Sequence, residues 1–229
     1  MALILAIETS TPVCSIALHN RGELLDSISL EINGAHAERL MRMIEQLLSR
    51  NSIMPNELSA VAVSEGPGSY TGLRIGVSTA KGLAFAWDLP LIGVSTLRIL
   101  AFAAKSSVVG EGFIVALLDA RRQEVFHQIF DEELNPLIDL NSEVLEENSY
   151  ADLLQQKPTY FVGDGAAKVS EVIRSSRAHF LDLKIDASQM GVLAFEKFTK
   201  SDFESIAYFV PNYLKEFKAL HAKKNPLFI

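Results

Sequence analysis

The chain of 229 residues has one cysteine, Cys14, so no internal disulfide can form and a reducing cytoplasm is the expected compartment. Cys14 lies in the apolar run VCSIAL with no histidine close in sequence to activate it, and it reads as a small buried side chain. Histidines are few and dispersed: among His19, His36, His127, His179 and His221 no two stand three or four positions apart. No helix therefore offers a paired imidazole site, which argues against a metal hydrolase. His127 in a strand and His179 at the start of one read as structural. Positive charge is in deficit, 21 Lys and Arg against 28 Asp and Glu, for a net charge of -7. Such a chain is poorly suited to gripping a polyanion alone, so a partner would supply most of the positive charge if nucleic acid matters. No apolar run approaches the roughly 20 residues needed to span a bilayer, and the MALILAIETS start has no basic segment. A soluble protein without membrane contact is expected.

The hydrophobic fraction, 48%, is enough for a large core. Apolar periodicity predicts strands at Leu3–Ile7, Val13–His19 and around Ile28, Leu30 and Ile32, the last two joined by an Asn20-Arg21-Gly22 turn. A helix follows on Leu40, Met43, Ile44, Leu47 and Leu48, then a strand at Ala60–Val63, a helix from Gly72 to Ala86, a strand at Pro90–Val94, and a helix capped by Ser95 or Thr96 and running to Ala104. The order is βββαβαβα. From Ile114 it repeats: strands at Ile114–Leu118, Glu124–Phe130 and Pro136–Leu140, a helix at Asn148–Gln155, a strand at Thr159–Val162, a Gly163-Asp164-Gly165 turn, a helix at Ala166–Ser175, a strand at His179–Leu183 and a helix at Ser188–Lys200. One constant offset carries Leu3–Glu8 onto Ile114–Asp119, each an apolar run ending in a carboxylate. The expected fold is α/β, two ribonuclease H-like lobes facing across a cleft, residues 1–105 and 106–229. The second lobe carries a basic tail (Lys218, Lys223, Lys224) that closes on Pro226-Leu227-Phe228-Ile229 and packs on the body or on a partner.

The stretch VSEGPGSYTGLRIG lies between the fourth strand and its helix. It lacks the Gly-Lys-Ser/Thr of a P-loop, and its glycines do not fit G-x-G-x-x-G. A tight strand-to-helix turn, with Thr71 as the cap, explains it without a phosphate. In the helix itself Gly72, Gly76, Ala80 and Ala84 recur every fourth residue. Glycine inside a helix costs about 1 kcal/mol against alanine, so a backbone must approach closely there: the protein's own sheet or a second helix. With the wide apolar surface of the preceding helix, an interface is expected on His36, Leu40, Met43, Ile44 and Leu47 and on Gly72, Arg74, Ile75, Gly76, Thr79, Ala80 and Leu83. At the strand ends, Glu8, Thr9, Ser10 and Asp119 are candidates to hold a nucleotide phosphate and hydrated Mg²⁺; hydrogen-bonded strand ends with Arg121 paired to an acid are the alternative.

ILAIETSTPVCSIAL, SEGPGSYTGLRIGVSTAKGLA, GVSTL, LLDARRQEVF and, more weakly, PNYLKEF resemble the bacterial TsaB (YeaZ) family, although Lys215 stands where the family tends to have Arg. The resemblance implies an actin-like, sugar-kinase-like fold of two ribonuclease H-like lobes. It implies work with TsaD and TsaE in transferring a threonylcarbamoyl group to the adenosine next to the anticodon of tRNAs, with TsaC supplying threonylcarbamoyl-adenylate. It implies that TsaD is the catalytic member, with a metal held by a His-x-x-x-His pair on the helix after the fifth strand. Here that helix, STLRILAFAA, has no histidine. The resemblance thus implies a non-catalytic subunit that contacts TsaD, or a second copy of itself where TsaD is absent, through the early helices, about Ala35–Leu48 and Gly72–Ala86. It would bind no cofactor alone, would meet ATP or ADP and Mg²⁺ only in the complex, and would reach tRNA through that complex. The residue at the end of the first strand departs from the superfamily, Glu8 for the usual Asp. A stand-alone ATPase or small-molecule kinase using Glu8 and Asp119 is the competing expectation.

Overall fold

The computed structural model describes residues 2–31 and 36–214; the expectations placed on Ile32, Ala35, Lys215, His221 and the tail from Phe217 to Ile229 lie outside them. Two five-stranded sheets form. The first is built from β1 (Leu3–Glu8), β2 (Val13–Asn20), β3 (Glu23–Glu31), β4 (Ala60–Gly66) and β5 (Leu91–Ser95), in the order β3-β2-β1-β4-β5. The second is built from β6 (Phe113–Asp119), β7 (Glu124–Phe130), β8 (Asn141–Val144), β9 (Thr159–Val162) and β10 (Ala178–Leu181), in the order β10-β9-β6-β7-β8. Read from the other edge, the second order is the first repeated. β1 pairs antiparallel with β2 and parallel with β4, and β6 does the same with β7 and β9. The repeated βββαβαβα order is therefore present in space as well as in sequence.

The helices are α1 (His36–Arg50), α2 (Tyr70–Ala86), α3 (Thr96–Ala104), α4 (Ala151–Gln156), α5 (Ala166–Val172) and α6 (Gly191–Thr199). Helices and sheets alternate in layers because both faces of each sheet are apolar and each needs a cover. Leu3, Leu5 and Ile7 of β1 pack with Leu40, Ile44 and Leu47 of α1 and with Val77 and Ala80 of α2. Val115, Leu117 and Phe161 pack with Leu154, Ala166 and Val169 of α4 and α5. The opposite faces share one core: Ile4 and Ala6 from the first sheet, Ile114 and Ala116 from the second, and Leu97, Leu100 and Leu193 from α3 and α6 between them. These two helices cross over, α3 leaving the first sheet to pack on β6 and α6 returning to pack on β5 and β1.

Several element limits differ from expectation, each for a local reason. β3 begins at Glu23, directly after the turn in which Arg21 and Gly22 take φ +52° and +88°. Pro136–Leu140 is not the third strand of the repeat; that strand is Asn141–Val144, and Pro136 makes only an isolated bridge to Phe130. The Asp131 carboxylate accepts the N–H groups of Glu133 and Asn135 and closes a turn there. α2 starts at Tyr70, and its cap is Ser69, not Thr71: the Ser69 hydroxyl accepts the Gly72 N–H. Ser95 holds the cap position of α3 without a side-chain cap bond. α4 starts at Ala151, after Tyr150 at φ +61°. α5 stops at Val172, β10 is Ala178–Leu181, and Ala187–Gln189 is a 3-10 turn closed by a capping box on Asp186 ahead of α6. Among the described residues no helix is long and apolar enough to cross a membrane.

Because Leu100 touches both halves of the shared core, Leu100→Ala is expected to cost about 2–5 kcal/mol in denaturant unfolding. Fluorescence of Trp87, in the first half, and far-ultraviolet dichroism of the whole chain should still give one coincident transition. Two separated transitions would contradict the shared core.

Candidate functional site

A cleft of about 490 Å³ lies where the carboxyl ends of the two sheets face each other. One wall is the β1–β2 turn (Ser10, Thr11, Pro12) and the start of α2 (Ser69, Tyr70, Thr71); the other is Leu118, Asp119, Arg121 and Asp164 of the second half. Ligands in open α/β sheets settle at such strand ends. The four residues expected to hold a nucleotide do not converge on it.

Glu8 is fully buried and is not among the residues lining this cleft. Its Oε1 accepts the Ser10 N–H at 2.5 Å, and its Oε2 has no hydrogen-bond partner among the described residues. Burial lifts its pKa from 4.5 to about 7; the nearby Ser10 and Ser64 groups pull it back, and Asp186 adds to the rise. Thr9 is buried as well, its hydroxyl donating to the Gly72 carbonyl at 2.8 Å. Glu8 and Thr9 therefore lie in the interior of this structure, while the other two candidates reach the cleft. Ser10 and Asp119 do line the cleft. Lys168 donates to Asp119 Oδ1 at 2.6 Å, and the same oxygen accepts the Arg121 N–H at 2.6 Å. The Asp119 N–H donates to Asp164 Oδ1 at 2.8 Å, and burial raises the Asp164 pKa. The expected pairing of Arg121 with an acid is thus a backbone contact, while Lys168 supplies the cation. Sequence reading missed Lys168; its only signal was its place one turn into the helix after the Gly163-Asp164-Gly165 turn.

The glycine strip of α2 is turned inward. A Cβ on Gly72 would collide with the Thr9 carbonyl oxygen, and one on Gly76 with the Thr9 hydroxyl. Ala80 and Ala84 are buried against the first sheet. Leu40, Met43, Ile44, Leu47 and Leu83 are core residues too. His36 is buried, with its Nε2 3.1 Å from the Thr11 carbonyl oxygen. Most of the residues expected at an interface are therefore occupied within the chain: the apolar width of α1 and the bare strip of α2 serve its own sheet and turn. Arg74 is exposed, and Ile75 and Thr79 are half-buried. The outer face of α2 consists of Thr71, Arg74, Ser78, Gly82 and Phe85, the last 80% exposed. On α1, which contacts α2, Met41 is exposed.

Sequence reading also missed a strap over residues 203–214. The Glu204 N–H donates to Leu91 O at 2.8 Å, Lys81 Nζ to Phe209 O at 2.8 Å and the Asn212 N–H to Glu65 O at 2.7 Å. The Arg74 guanidinium lies 4.0 Å over the Tyr70 ring and donates to the Tyr213 hydroxyl at 3.2 Å. The PNYL stretch was the sequence signal for this strap. Burial pushes the Cys14 thiol up to about 11 and lowers the pKa of His19, which bonds Ala187 O, and of His127, held by Asn141 and Tyr150. Among the described residues no three His, Cys, Asp or Glu side chains come together to hold a metal.

A family model described as TsaD, tRNA N6-adenosine threonylcarbamoyltransferase, matches residues 30–223. The tRNA threonylcarbamoyladenosine biosynthesis protein TsaB of Haemophilus influenzae is 35% identical over 177 residues, covering 73% of this chain and 74% of that one. TsaB of Bacillus subtilis is 32% identical over 176 residues, 74% of each. Among solved structures, YeaZ from Pseudomonas aeruginosa superposes with a TM-score of 0.80 at 28% identity, covering 93% of this chain and 100% of that one.

Two outcomes follow from the geometry around Thr9 and Glu8. Gly76→Ala is expected to destabilise the isolated chain by about 1–3 kcal/mol, because overpacking against Thr9 outweighs the roughly 1 kcal/mol gain in helix propensity; a neutral result in thermal unfolding would contradict the close approach. Glu8 keeps its proton when folded and loses it when unfolded between pH 4.5 and about 7, so its contribution is present below 4.5 and lost as pH rises through 7. Glu8→Gln should therefore gain on its parent as pH rises from 4.5 to 8, by on the order of 3 kcal/mol, as read from urea midpoints at each pH.

Proposed function

The chain belongs to the TsaB (YeaZ) family of tRNA threonylcarbamoyladenosine biosynthesis proteins, and from that premise we propose that it is the non-catalytic subunit that docks TsaD and, with it, TsaE. Its part in that biosynthesis follows from the family. The single observation that carries the non-catalytic reading is the sealing of Glu8. The acid that ends β1 faces the core, and Asp119, at the equivalent end of β6, is held by Lys168. Glu8 is thus withheld from a phosphate in the cleft, and Asp119, which lines the cleft, is already paired with Lys168. The helix α3 also carries no imidazole. Threonylcarbamoyl transfer to tRNA then belongs to the partner, and ATP or ADP with Mg²⁺ to the assembled complex. The net charge of -7 supports the same division, with tRNA reached through the complex.

The docking surface in this reading is the outer face of α2 with the neighbouring part of α1, not the inward strip. Arg74 is already held between two tyrosines, so it presents its charge at small entropic cost, and Phe85 offers a large ring to a partner pocket. The double variant Met41→Glu, Phe85→Glu is expected to weaken co-purification with TsaD by at least about tenfold, while the melting temperature of the isolated chain stays nearly unchanged, since exposed sites alter stability little. Full retention of the complex would remove α1 and α2 as the contact.

A further inference from the structure

Away from the cleft, on the α4 side of the second sheet, a cavity of about 380 Å³ is lined by His127, Ile129, Ile138, Glu143, Tyr150 and Asp152, among others. His127 of β7 is only 4% exposed. Its Nε2–H donates to Asn141 Oδ1 on β8, which leaves Nδ1 to accept the Tyr150 hydroxyl at 2.9 Å. Glu143 Oε2, also on β8, stands 3.5 Å from the same Nδ1. One ring nitrogen thus meets two groups with opposite needs: the hydroxyl needs its lone pair, and the carboxylate needs a proton on it. The remaining neighbours of the ring are apolar, with Leu117 opposite on β6 and Val125, Ile129, Ala166 and Val169 in the same core. Asp152 of α4 lines the cavity and is exposed, as are Glu146 and Glu147 ahead of Tyr150. Burial lowers the His127 pKa, against Glu143 and Asn141, which raise it; burial and then Glu143 raise that of Tyr150, which keeps its proton. Tyr150 stands directly before α4 with φ +61°, a region that bulky residues rarely hold. What holds it there is its side chain: the hydroxyl on His127, and the ring edge-on to Phe161 with centroids 5.2 Å apart. No side chain caps α4, and the Tyr150 carbonyl accepts the Leu154 N–H at 3.1 Å.

We propose that His127 is a proton-operated switch on the start of α4. Neutral, its Nδ1 takes the Tyr150 hydroxyl and fixes that residue. Protonated, its Nδ1–H turns to Glu143, Tyr150 loses its anchor, and the first turn of α4, which walls the cavity, loosens. The exchange takes up one proton from solvent and moves no other atom between molecules. It works below pH 6.5, because the buried ring resists the charge until the Glu143 carboxylate compensates it. The switch lies in the other half of the chain from α1 and α2, so it stands or falls independently of TsaD docking.

The test follows the His127 ring by NMR in the full chain as pH is lowered, with the signal assigned by its loss in His127→Gln. The two partners should move the titration midpoint in opposite directions. Glu143→Gln removes the compensating charge and is expected to lower it by about half to one pH unit. Tyr150→Phe removes the bond that favours the neutral ring and is expected to raise it by a similar amount. Amide hydrogen exchange, corrected for the intrinsic rate at each pH, should show protection at Leu154 falling about tenfold between pH 7.5 and 5.5 while protection in α1 is unchanged. That fall should be absent in His127→Gln and shifted to lower pH in Glu143→Gln, so the result does not hang on one variant folding. Midpoints that move the same way or not at all would overturn the proposal. So would Leu154 protection that stays flat, that falls in step with α1, as in global acid unfolding, or that still falls at the same pH without His127.

Discussion

Thr9 sits against the two glycines of α2, and most of the site's geometry follows from that contact. The hydroxyl of Thr9 donates to the Gly72 carbonyl, and the space a Cβ would need on Gly72 or Gly76 is filled by Thr9 itself. A helix can come this close to a turn only where it has no side chains, and the loss of helix propensity at two glycines is the cost. The Glu8 carboxyl, one residue before this clamp, lies in the interior beside Ser10 and Ser64. The same clamp sets Ser10, Thr11 and Pro12 as one cleft wall and fixes which face of α2 looks outward.

The second constraint is the crossing of α3 and α6 between the sheets. Each half supplies the helix that covers the other half's inner face, so neither sheet is buried without the other. Gly191, at the start of α6, packs so tightly on His19 and the Gly22 carbonyl that a Cβ there would collide with both.

Most strands were legible because the central strands of both sheets are buried on both faces, which leaves short unbroken apolar runs such as Leu3–Ile7 and Ile114–Leu118. The repeat was legible because each run ends in a carboxylate at the same offset. Limits failed where side chains close local turns, as Asp131 does before β8 and Asp186 does before α6. The site was less legible than the fold. The four-residue spacing of Gly72, Gly76, Ala80 and Ala84 correctly signals a close backbone approach, yet spacing does not say from which side the neighbour comes. Likewise Leu40, Met43, Ile44 and Leu47 signal an apolar face, and only the structure shows that the first sheet uses all of it. Lys168 and the strap bring together residues 49 and 139 positions apart, and no local pattern carries such pairings.

With its small residues turned inward, α2 lies low on the sheet, and its outer ridge is left to Arg74, Ser78, Gly82 and Phe85. The strap borders that ridge and ends in the cleft, so Arg74 touches two regions at once: its guanidinium stacks on Tyr70 at the helix start and bonds Tyr213 on the cleft wall. A partner that engages Arg74 from the ridge must share it with Tyr213 or take it away. In the first case the strap becomes part of the contact, and in the second the anchor of the following segment loosens. Either way the outer ridge and the cleft are linked through one side chain, with no movement of the sheets.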